Sequence, residues 1–352
     1  MAVRTFTSSV LGPEGRGTEF GRRHRDEVAR TVAAYRRLFL ARAVGPFDVD
    51  AWSERAWHRI QELAPEAAAE IRGIADGAGL PVRDVAGINA RTELLAVADP
   101  LGVDECSTVV ALPPGRRPVA VQTWDWYDAM ADHWLHWTIP HPDGRLVETV
   151  TEYGVLGKIG VNRSGVGVLF NMLHHEADSG AGERELGYPV HLLSRRILDE
   201  AEDLDQARKI AYAAATSAST SLTLVEGDPS GGRAVTVELF PGGPGSLEPA
   251  DGLLVRTNHF VSAQGAPGCL AATSGPGTRI RRETLLAAFA DRLPHTAVEV
   301  VAAMRDHRDV GGVCAHPDPT AEPLLWHKTL ATVAVDTATG RLAVAPGGPC
   351  GR

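Results

Sequence analysis

Cys106 is the residue whose position most favours chemistry, because this lone thiol lies where the sequence pattern changes from helix-like to strand-like. It lies in the stretch ADPLGVDECSTVV, between a helical region and the first strand-like run, and the small polar residues Ser107 and Thr108 follow it. A thiol becomes a nucleophile when it loses its proton. Considered alone, however, a cysteine at the start of a strand is more often a small buried hydrophobic residue.

Asp125 is the nearest acidic candidate. It lies in the run QTWDW, nineteen residues after Cys106, and is flanked by Trp124 and Trp126. The residues between them predict a strand, a PPGRRP turn and a returning strand. Such a hairpin brings the end of the second strand beside the start of the first. We therefore expect Asp125 to lie close to Cys106; an exposed or helix-capping aspartate is the alternative.

Two asparagines stand inside apolar, strand-like runs, Asn171 in LFNML and Asn258 in RTNHF. A buried amide that lacks a hydrogen-bond partner costs roughly 1–3 kcal/mol. Each of these side chains is therefore expected to have a partner, which is either a functional group or simply a loop at a strand end.

The elements that would position these residues fall into two parts. From residue 19 to about residue 97, apolar residues recur at intervals of three and four, which predicts helices. After Asp104, β-branched and aromatic runs separated by turn-forming clusters predict an antiparallel meander. A helical stretch at about 188–215, more strands, the helix RIRRETLLAAFADRL and two final strands follow. This order favours an α+β protein with helices layered on antiparallel sheets.

Composition and charge exclude several classes of function. The 352 residues carry a formal charge of −9 and no long basic run, which disfavours a nucleic-acid partner. The first residues lack the apolar core of a signal peptide, and no window approaches the ~20 apolar residues of a membrane span. The sequence therefore predicts a cytoplasmic protein with no membrane partner.

Cysteine spacing gives no metal signature. The chain contains four cysteines, Cys106, Cys269, Cys314 and Cys350. None stands in a C-x-x-C or C-x-x-H pattern, which predicts neither a zinc site nor a disulfide framework, and Cys350 is expected to be an exposed, mobile thiol. His174 and His175 are adjacent in an extended segment, so they point to opposite faces. We predict no metal and no cofactor.

Several blocks of sequence, in order and with sensible spacing, resemble the acyl-coenzyme A:isopenicillin N acyltransferase family, whose members exchange acyl chains to make penicillins. The blocks are EIRGIADGAG, NARTEL, ECST, QTWDWY, EYGVLGKIGVNRSGVGVLFNMLH and RTNHF. The resemblance implies the four-layer αββα fold of N-terminal-nucleophile (Ntn) hydrolases, an α+β fold with two stacked antiparallel sheets between helical layers.

The same resemblance implies a proenzyme that cuts itself between Glu105 and Cys106. Residues 1–105, called the leader below, would remain bound as a small α subunit to the catalytic β subunit, residues 106–352, and the two would form one folded unit. Cys106 would be the nucleophile, and its freed α-amine would be the base, so no catalytic histidine is required.

Roles for the other residues follow from the resemblance. Asp125 matches the acid that orients the α-ammonium group, Asn258 is the stronger oxyanion-hole candidate, and Asn171 would support the substrate carbonyl. Four further residues are expected to line the substrate pocket, with core packing as the alternative for the aromatic ones: Trp126, Tyr127, Trp134 and His259. The implied partner is a small-molecule amide, acyl-CoA or other acyl donor.

One departure from the family pattern leaves alternatives open. Relatives commonly have an arginine after the cysteine of the region that matches GGVCAHPDP, and Ala315 stands there in this chain. Arg163 or His316 could substitute for that cation, the thiolate could be stabilised less, or the substrate could differ. The alternative functions are a catalytically weak Ntn-fold binding or scaffold protein and a bile-salt-hydrolase-like amidase; the long leader counts against the amidase. His259 is the partner to test if Cys106 belongs to an ordinary Cys/His pair.

Overall fold

The computed structural model describes residues 2–98, 106–178, 186–274, 277–308 and 310–351. The described part of the leader begins with a short strand, β1 (Thr5–Thr7), and is otherwise helical, as its periodicity predicts. Its helices are α1 (Pro13–Arg23), α2 (Arg25–Arg42), α3 (Val49–Leu63), α4 (Pro65–Ala78), α5 (Val82–Asn89) and α6 (Arg91–Ala98).

Glycines allow α1 and α4 to cross at very short range. Cβ atoms added to Gly17 and Gly21 of α1 would collide with backbone carbonyl oxygens of α4, and Gly73 and Gly77 of α4 meet α1 in the same way. A residue without a Cβ is needed where two backbones approach so closely. The EIRGIADGAG block is therefore a helix-packing surface, which explains its small residues without any chemistry.

The larger sheet has eight strands, β1 followed by β4 to β10 in chain order. Its strands beyond β1 are β4 (Trp134–Pro140), β5 (Leu146–Glu152), β6 (Ile159–Asn162), β7 (Val166–Met172), β8 (Thr220–Asp228), β9 (Gly231–Leu239) and β10 (Gly245–Leu247). Neighbours are antiparallel except that β1 lies parallel to β4, a pairing that needs a long crossover and obtains it from the leader helices.

The smaller sheet has five antiparallel strands in the order β11, β2, β3, β12, β13. These strands are β2 (Ser107–Ala111), β3 (Val119–Tyr127), β11 (Leu253–Arg256), β12 (His327–Asp336) and β13 (Arg341–Pro346). The β2–β3 hairpin that the sequence predicts is therefore present, and it lies in the middle of this sheet.

Helices cover both outer faces of the sheet pair. α7 (Val190–Glu200) and α8 (Leu204–Ala213) contact the larger sheet, whereas α10 (Gly277–Ala288), which follows the short α9 (Ala271–Ser274), and α11 (Ala297–Ala303) contact the smaller one. The inner faces pack through apolar side chains of both sheets, namely Val110, Ala120, Val161, Leu169 and Val225. The predicted αββα order is thereby confirmed.

The helical stretch predicted at 188–215 is two helices instead of one. α7 ends at Glu200, and Asp203 caps α8 by accepting a hydrogen bond from the backbone N–H of Gln206 at 2.8 Å. An N-cap of this kind satisfies an amide at the start of a helix and so favours a break before it.

Charged side chains bind the leader to α7. Glu70 of α4 accepts hydrogen bonds from the guanidinium groups of Arg16 in α1 and Arg195 in α7, and all three side chains are buried. Within the described parts of the chain, every helix is too short or too polar to cross a membrane.

Candidate active site

Cys106 is buried directly before β2. Its Sγ donates a hydrogen bond to the backbone carbonyl oxygen of Asp125, 3.5 Å away. The β2–β3 register causes this contact, because it pairs Ser107 with Thr123 and carries Asp125 past the start of β2. The predicted proximity of Cys106 and Asp125 is therefore confirmed, and the Asp125 side chain is completely buried.

The carbonyl oxygen of Cys106 accepts two hydrogen bonds from outside the smaller sheet. Asn171 Nδ2 on β7 of the larger sheet donates at 3.1 Å, and Arg281 Nη1 on α10 donates at 2.9 Å. Asn171 is oriented in turn by Thr108, whose hydroxyl donates to Asn171 Oδ1 at 2.8 Å. Asn171 thus has the partner that its burial requires, and that partner is the nucleophile residue itself.

Arg281 is a cation that hydrogen-bonds directly to the proposed nucleophile residue. Its buried guanidinium donates to the Cys106 carbonyl, to Ser107 Oγ at 3.0 Å and to Asn258 Oδ1 at 3.0 Å. The sequence analysis missed Arg281. The available signal was its spacing, because Arg281 precedes the buried Leu285 by four residues and so lies on the inward face of α10.

Asn258 is linked to Cys106 through Arg281, which donates a hydrogen bond to each of them. Its Nδ2 donates to the Met172 carbonyl oxygen at 2.9 Å, and its backbone N–H donates to Thr278 Oγ1 at 2.7 Å. An amide nitrogen carries two hydrogens, and the Met172 contact occupies one of them. These contacts fix the Asn258 side chain and, among the residues that the structure describes, leave its second N–H for a further acceptor.

His259 is buried among hydroxyl groups. Its Nδ1 lies 3.2 Å from Thr257 Oγ1 and 3.1 Å from Thr278 Oγ1. Burial, with the positive charge of Arg256 and other nearby arginines, lowers the pKa of His259 to about 3. An imidazole with this pKa is neutral at pH 7 and is a poor general base there. This disfavours a Cys/His pair.

The aromatic residues predicted to line the pocket are buried in the core. Trp126 Nε1 donates to the Tyr35 hydroxyl of the leader at 3.0 Å. Trp134 packs edge-to-face on Trp124 with ring centroids 6.0 Å apart, and the Tyr127 ring lies 4.1 Å from that of His327. Packing accounts for these side chains, and their role in binding substrate stays a prediction.

Arg91 of the NARTEL block belongs to a buried polar network below Trp126. Its Nη2 donates to Glu152 Oε1 and its Nε donates to the Tyr35 hydroxyl, each at 2.7 Å. Burial tends to raise the pKa of Glu152, but the charges of Arg91 and Lys158 outweigh it and hold that pKa below its usual value. Glu152 is therefore a carboxylate that ties the leader to β5.

The other NARTEL side chains also bind residues outside the leader. Asn89 donates to the Gly154 carbonyl oxygen at 2.8 Å and accepts from the Leu156 N–H at 3.0 Å. Glu93 accepts from the N–H of Val190, the first residue of α7, at 2.8 Å, and burial raises the Glu93 pKa to about 7. The block is thus a docking surface between the leader and the sheets.

Ala315, which replaces the family arginine, is buried. Its N–H donates to Thr329 Oγ1 at 3.1 Å, so it meets β12 through its backbone. Arg163, one suggested substitute, stands exposed in the turn between β6 and β7. Arg281 is the guanidinium bonded to Cys106 instead. Glu105, on the far side of the predicted cut, lies outside the described residues.

Comparison with known proteins identifies relatives. The family model "Acyl-coenzyme A:6-aminopenicillanic acid acyl-transferase" matches residues 112–349. The 40 kDa form of acyl-coenzyme A:6-aminopenicillanic-acid-acyltransferase from Emericella nidulans is 32% identical over 200 residues, which cover 56% of this chain and 52% of that protein. The chain therefore spans about half the length of this curated relative.

Two solved structures resemble the chain more distantly. The N-acylethanolamine-hydrolyzing acid amidase ortholog of Caenorhabditis elegans is 12% identical with a TM-score of 0.48, and the likeness covers 68% of this chain and 99% of that one. Penicillin V acylase from Agrobacterium tumefaciens is 12% identical with a TM-score of 0.41, over 68% and 82% of the two chains. Neither likeness bears on the site or the reaction. Because the family match covers more than half of the sequence, the chain belongs to the acyl-coenzyme A:6-aminopenicillanic acid acyl-transferase family.

Proposed function

We propose that this protein is a self-cleaving acyltransferase or amidohydrolase that acts on a small amide or thioester through an acyl-Cys106 intermediate. The observation that carries the proposal is the placement of Cys106, with its thiol bonded to the backbone carbonyl of Asp125 and its own carbonyl oxygen bonded to Asn171 and Arg281. Family membership supports an enzyme of acyl transfer or amide hydrolysis with a small acyl substrate. A cytoplasmic location stays a prediction from the sequence.

Self-cleavage would proceed in two steps. Cys106 Sγ gives up its proton and attacks the carbonyl carbon of Glu105; the C–N bond breaks, the nitrogen takes up a proton, and the acyl group is left on sulfur as a thioester. Water then hydrolyses the thioester, which restores the thiol and leaves a carboxyl group on Glu105 and a free α-amine on Cys106.

Turnover would use that new amine. An α-amine has an unperturbed pKa of about 7.7–8.0, so it can take the thiol proton near neutral pH while Sγ attacks the substrate carbonyl. The leaving group departs with that proton, acyl-Cys106 remains, and water or an acceptor amine releases the acyl group. Asp125, buried beside Cys106, would stabilise the ammonium form of the amine.

The two asparagines receive different roles. Asn258 is our oxyanion-hole candidate, because its side chain is fixed by Arg281 and Met172 and it has a second N–H to offer. Asn171 already donates to the Cys106 carbonyl, so we assign it to holding the nucleophile instead of supporting the substrate carbonyl.

After the cut, the leader, residues 1–105, would be the α subunit. It would stay bound to the β subunit, residues 106–352. Contacts that do not depend on the peptide bond at the cut support this association. They are the Arg91–Glu152 ion pair, the Glu70–Arg195 ion pair and the apolar core shared by the leader helices and both sheets. Separating the fragments would expose both the buried charges and this core.

We expect purified protein to contain two fragments, 1–105 and 106–352, that elute together and separate only in denaturant. Cys106→Ala should remain a single chain, because the attacking sulfur is gone. Cys269→Ala is the matched control: it removes another thiol and should be cleaved like wild type. Intact-mass spectrometry reads out all three. Wild-type protein that is active but uncut, or that is cut at a different bond, contradicts the proposal.

Arg281→Lys should slow both self-cleavage and turnover by roughly 10²-fold, because a lysine cannot bond the Cys106 carbonyl, Ser107 and Asn258 together with one planar fork. Arg282→Lys is the control on the same helix, since Arg282 is half-buried and bonds only the Val255 carbonyl among the described residues. Its rates should stay within a few-fold of wild type. Equal losses in the two variants would show that Arg281 acts only through helix stability.

Asn258→Ala should lower kcat by roughly 10²- to 10³-fold, the usual loss for one oxyanion-hole donor, with a smaller change in KM. A thermal melt checks that the loss of the Met172 contact has not unfolded the variant. If kcat stays within a few-fold of wild type in folded protein, Asn258 is a structural amide and the oxyanion is bound by other groups.

Activity should rise with pH through the neutral range, because the α-ammonium must lose its proton before it can accept one from the thiol. Asp125→Asn removes a negative charge that favours the ammonium, so the midpoint should move to lower pH. The control is His259→Asn: with a pKa of about 3, His259 does not titrate near neutrality, and its loss should leave the midpoint in place. A midpoint that disappears in His259→Asn returns Cys106 to the Cys/His class.

A further inference from the structure

Four side chains with metal-binding atoms meet at the end of the smaller sheet where β12 begins and β13 ends: His307, Cys314, His316 and Cys350. His307 follows α11, Cys314 and His316 lie in the segment before β12, and Cys350 follows β13. The spacing H-x6-C-x-H-x33-C matches no short zinc motif, so the cysteine spacing alone predicts no metal site here. His175, one of the two adjacent histidines of the extended segment, packs against Phe240 with ring centroids 4.6 Å apart.

Three of the four ligand atoms form a nearly equilateral triangle. Cys314 Sγ and Cys350 Sγ are 3.5 Å apart, and His316 Nε2 lies 3.7 Å from the first and 3.6 Å from the second. Zinc bound tetrahedrally at about 2.0–2.3 Å holds its sulfur and nitrogen ligands roughly 3.4–3.8 Å from one another. The triangle therefore has the edge lengths of one face of such a tetrahedron.

His307 is placed to complete the tetrahedron. Its ligand atom lies within 4.8 Å of the other three, and its ring stacks on that of His316 with centroids 5.1 Å apart. The His307 side chain is exposed, so it can change rotamer to bring its ligand atom closer to the other three at little cost.

Backbone contacts hold the ligand segments in place. The Cys314 N–H donates to the Asp306 carbonyl oxygen at 3.1 Å, which fixes the segment of His307 beside that of Cys314. Arg305 Nε donates to the Pro349 carbonyl oxygen at 3.0 Å, next to Cys350. A Cβ at Gly348 would lie 2.5 Å from Cys314 Sγ, so the glycine is what admits the sulfur.

We propose that His307, Cys314, His316 and Cys350 bind one Zn²⁺ as a closed, tetrahedral Cys2His2 site. Two thiolates and two imidazoles are the ligands that zinc prefers, and hard cations such as Mg²⁺ and Ca²⁺ require oxygen ligands instead. Binding releases the two thiol protons to solvent and forms two Zn–S and two Zn–N bonds. With all four positions filled by the protein, the ion has no open site for catalysis and fastens the segment after β13 to the segment before β12.

The test is the metal content of the full-length protein, purified without chelator after growth with zinc. Wild type should hold about one zinc per chain. Cys350→Ser should hold almost none, and so should Cys314→Ser and His316→Asn, whereas the matched control Cys269→Ser should keep the wild-type content. Cys350 is the preferred position because it lies beyond the last strand, where a substitution disturbs the fold least.

Cobalt substitution gives a second, spectroscopic readout. Co²⁺ added to chelated, reduced wild type should give the intense visible absorption of a tetrahedral site and thiolate charge-transfer bands in the near ultraviolet. Both should be absent in Cys350→Ser and present in Cys269→Ser.

Three results overturn the proposal: wild type that binds neither zinc nor cobalt stoichiometrically, cobalt bands that persist in Cys350→Ser, or a Cys314–Cys350 disulfide found by mass spectrometry in protein isolated under thiol-blocking conditions. His307→Asn tests the fourth ligand. Retention of full zinc affinity in that variant would overturn the four-ligand form.

Discussion

The hydrogen bonds to the Cys106 carbonyl oxygen are the interaction on which the rest of the site depends. Through this one atom, α10 and a strand of the opposite sheet both reach the start of β2. A guanidinium buried as deeply as that of Arg281 needs acceptors, because an uncompensated buried charge is strongly destabilising. Its acceptors among the described residues include the Cys106 carbonyl, Ser107 and Asn258. The charge of Arg281 therefore fixes the nucleophile residue and the oxyanion candidate relative to each other.

Buried charge also determines how the leader meets the catalytic part. Apolar helices could rotate or slide on an apolar surface at modest cost, since hydrophobic contacts are not directional. Arg91 with Glu152, and Glu70 with Arg195, permit one arrangement, because any other leaves a charge buried without its partner. The Tyr35 hydroxyl connects the first pair to Trp126, next to Asp125. One hydrogen-bond network thus docks the leader and also holds β3, the strand that carries Asp125.

The sequence alone was sufficient to predict features that depend on residues close together along the chain. Periodicity predicts the leader helices, turn clusters predict the β2–β3 hairpin, and the hairpin predicts that Asp125 meets Cys106. It was insufficient where the partners are distant in sequence. Arg281 looks like any arginine of a basic amphipathic helix until α10 is docked, and Cys350 looks like a tail thiol until β13 returns it to Cys314. The new assignment of Asn171, from the substrate carbonyl to the Cys106 carbonyl, likewise required the packing of the two sheets, which no strand pattern specifies.

The atoms that hold Cys106 lie on the carbonyl side of the residue, and the predicted cut is on its nitrogen side. Newly made chain ends normally fray, because nothing beyond the last residue restrains it. Here scission at that bond would release the amine yet leave the residue tethered through its own carbonyl and through β2, which pairs with β3 on one side and β11 on the other. The new N-terminus would provide the base and would remain ordered. The thiol would therefore keep most of its orientation after cleavage.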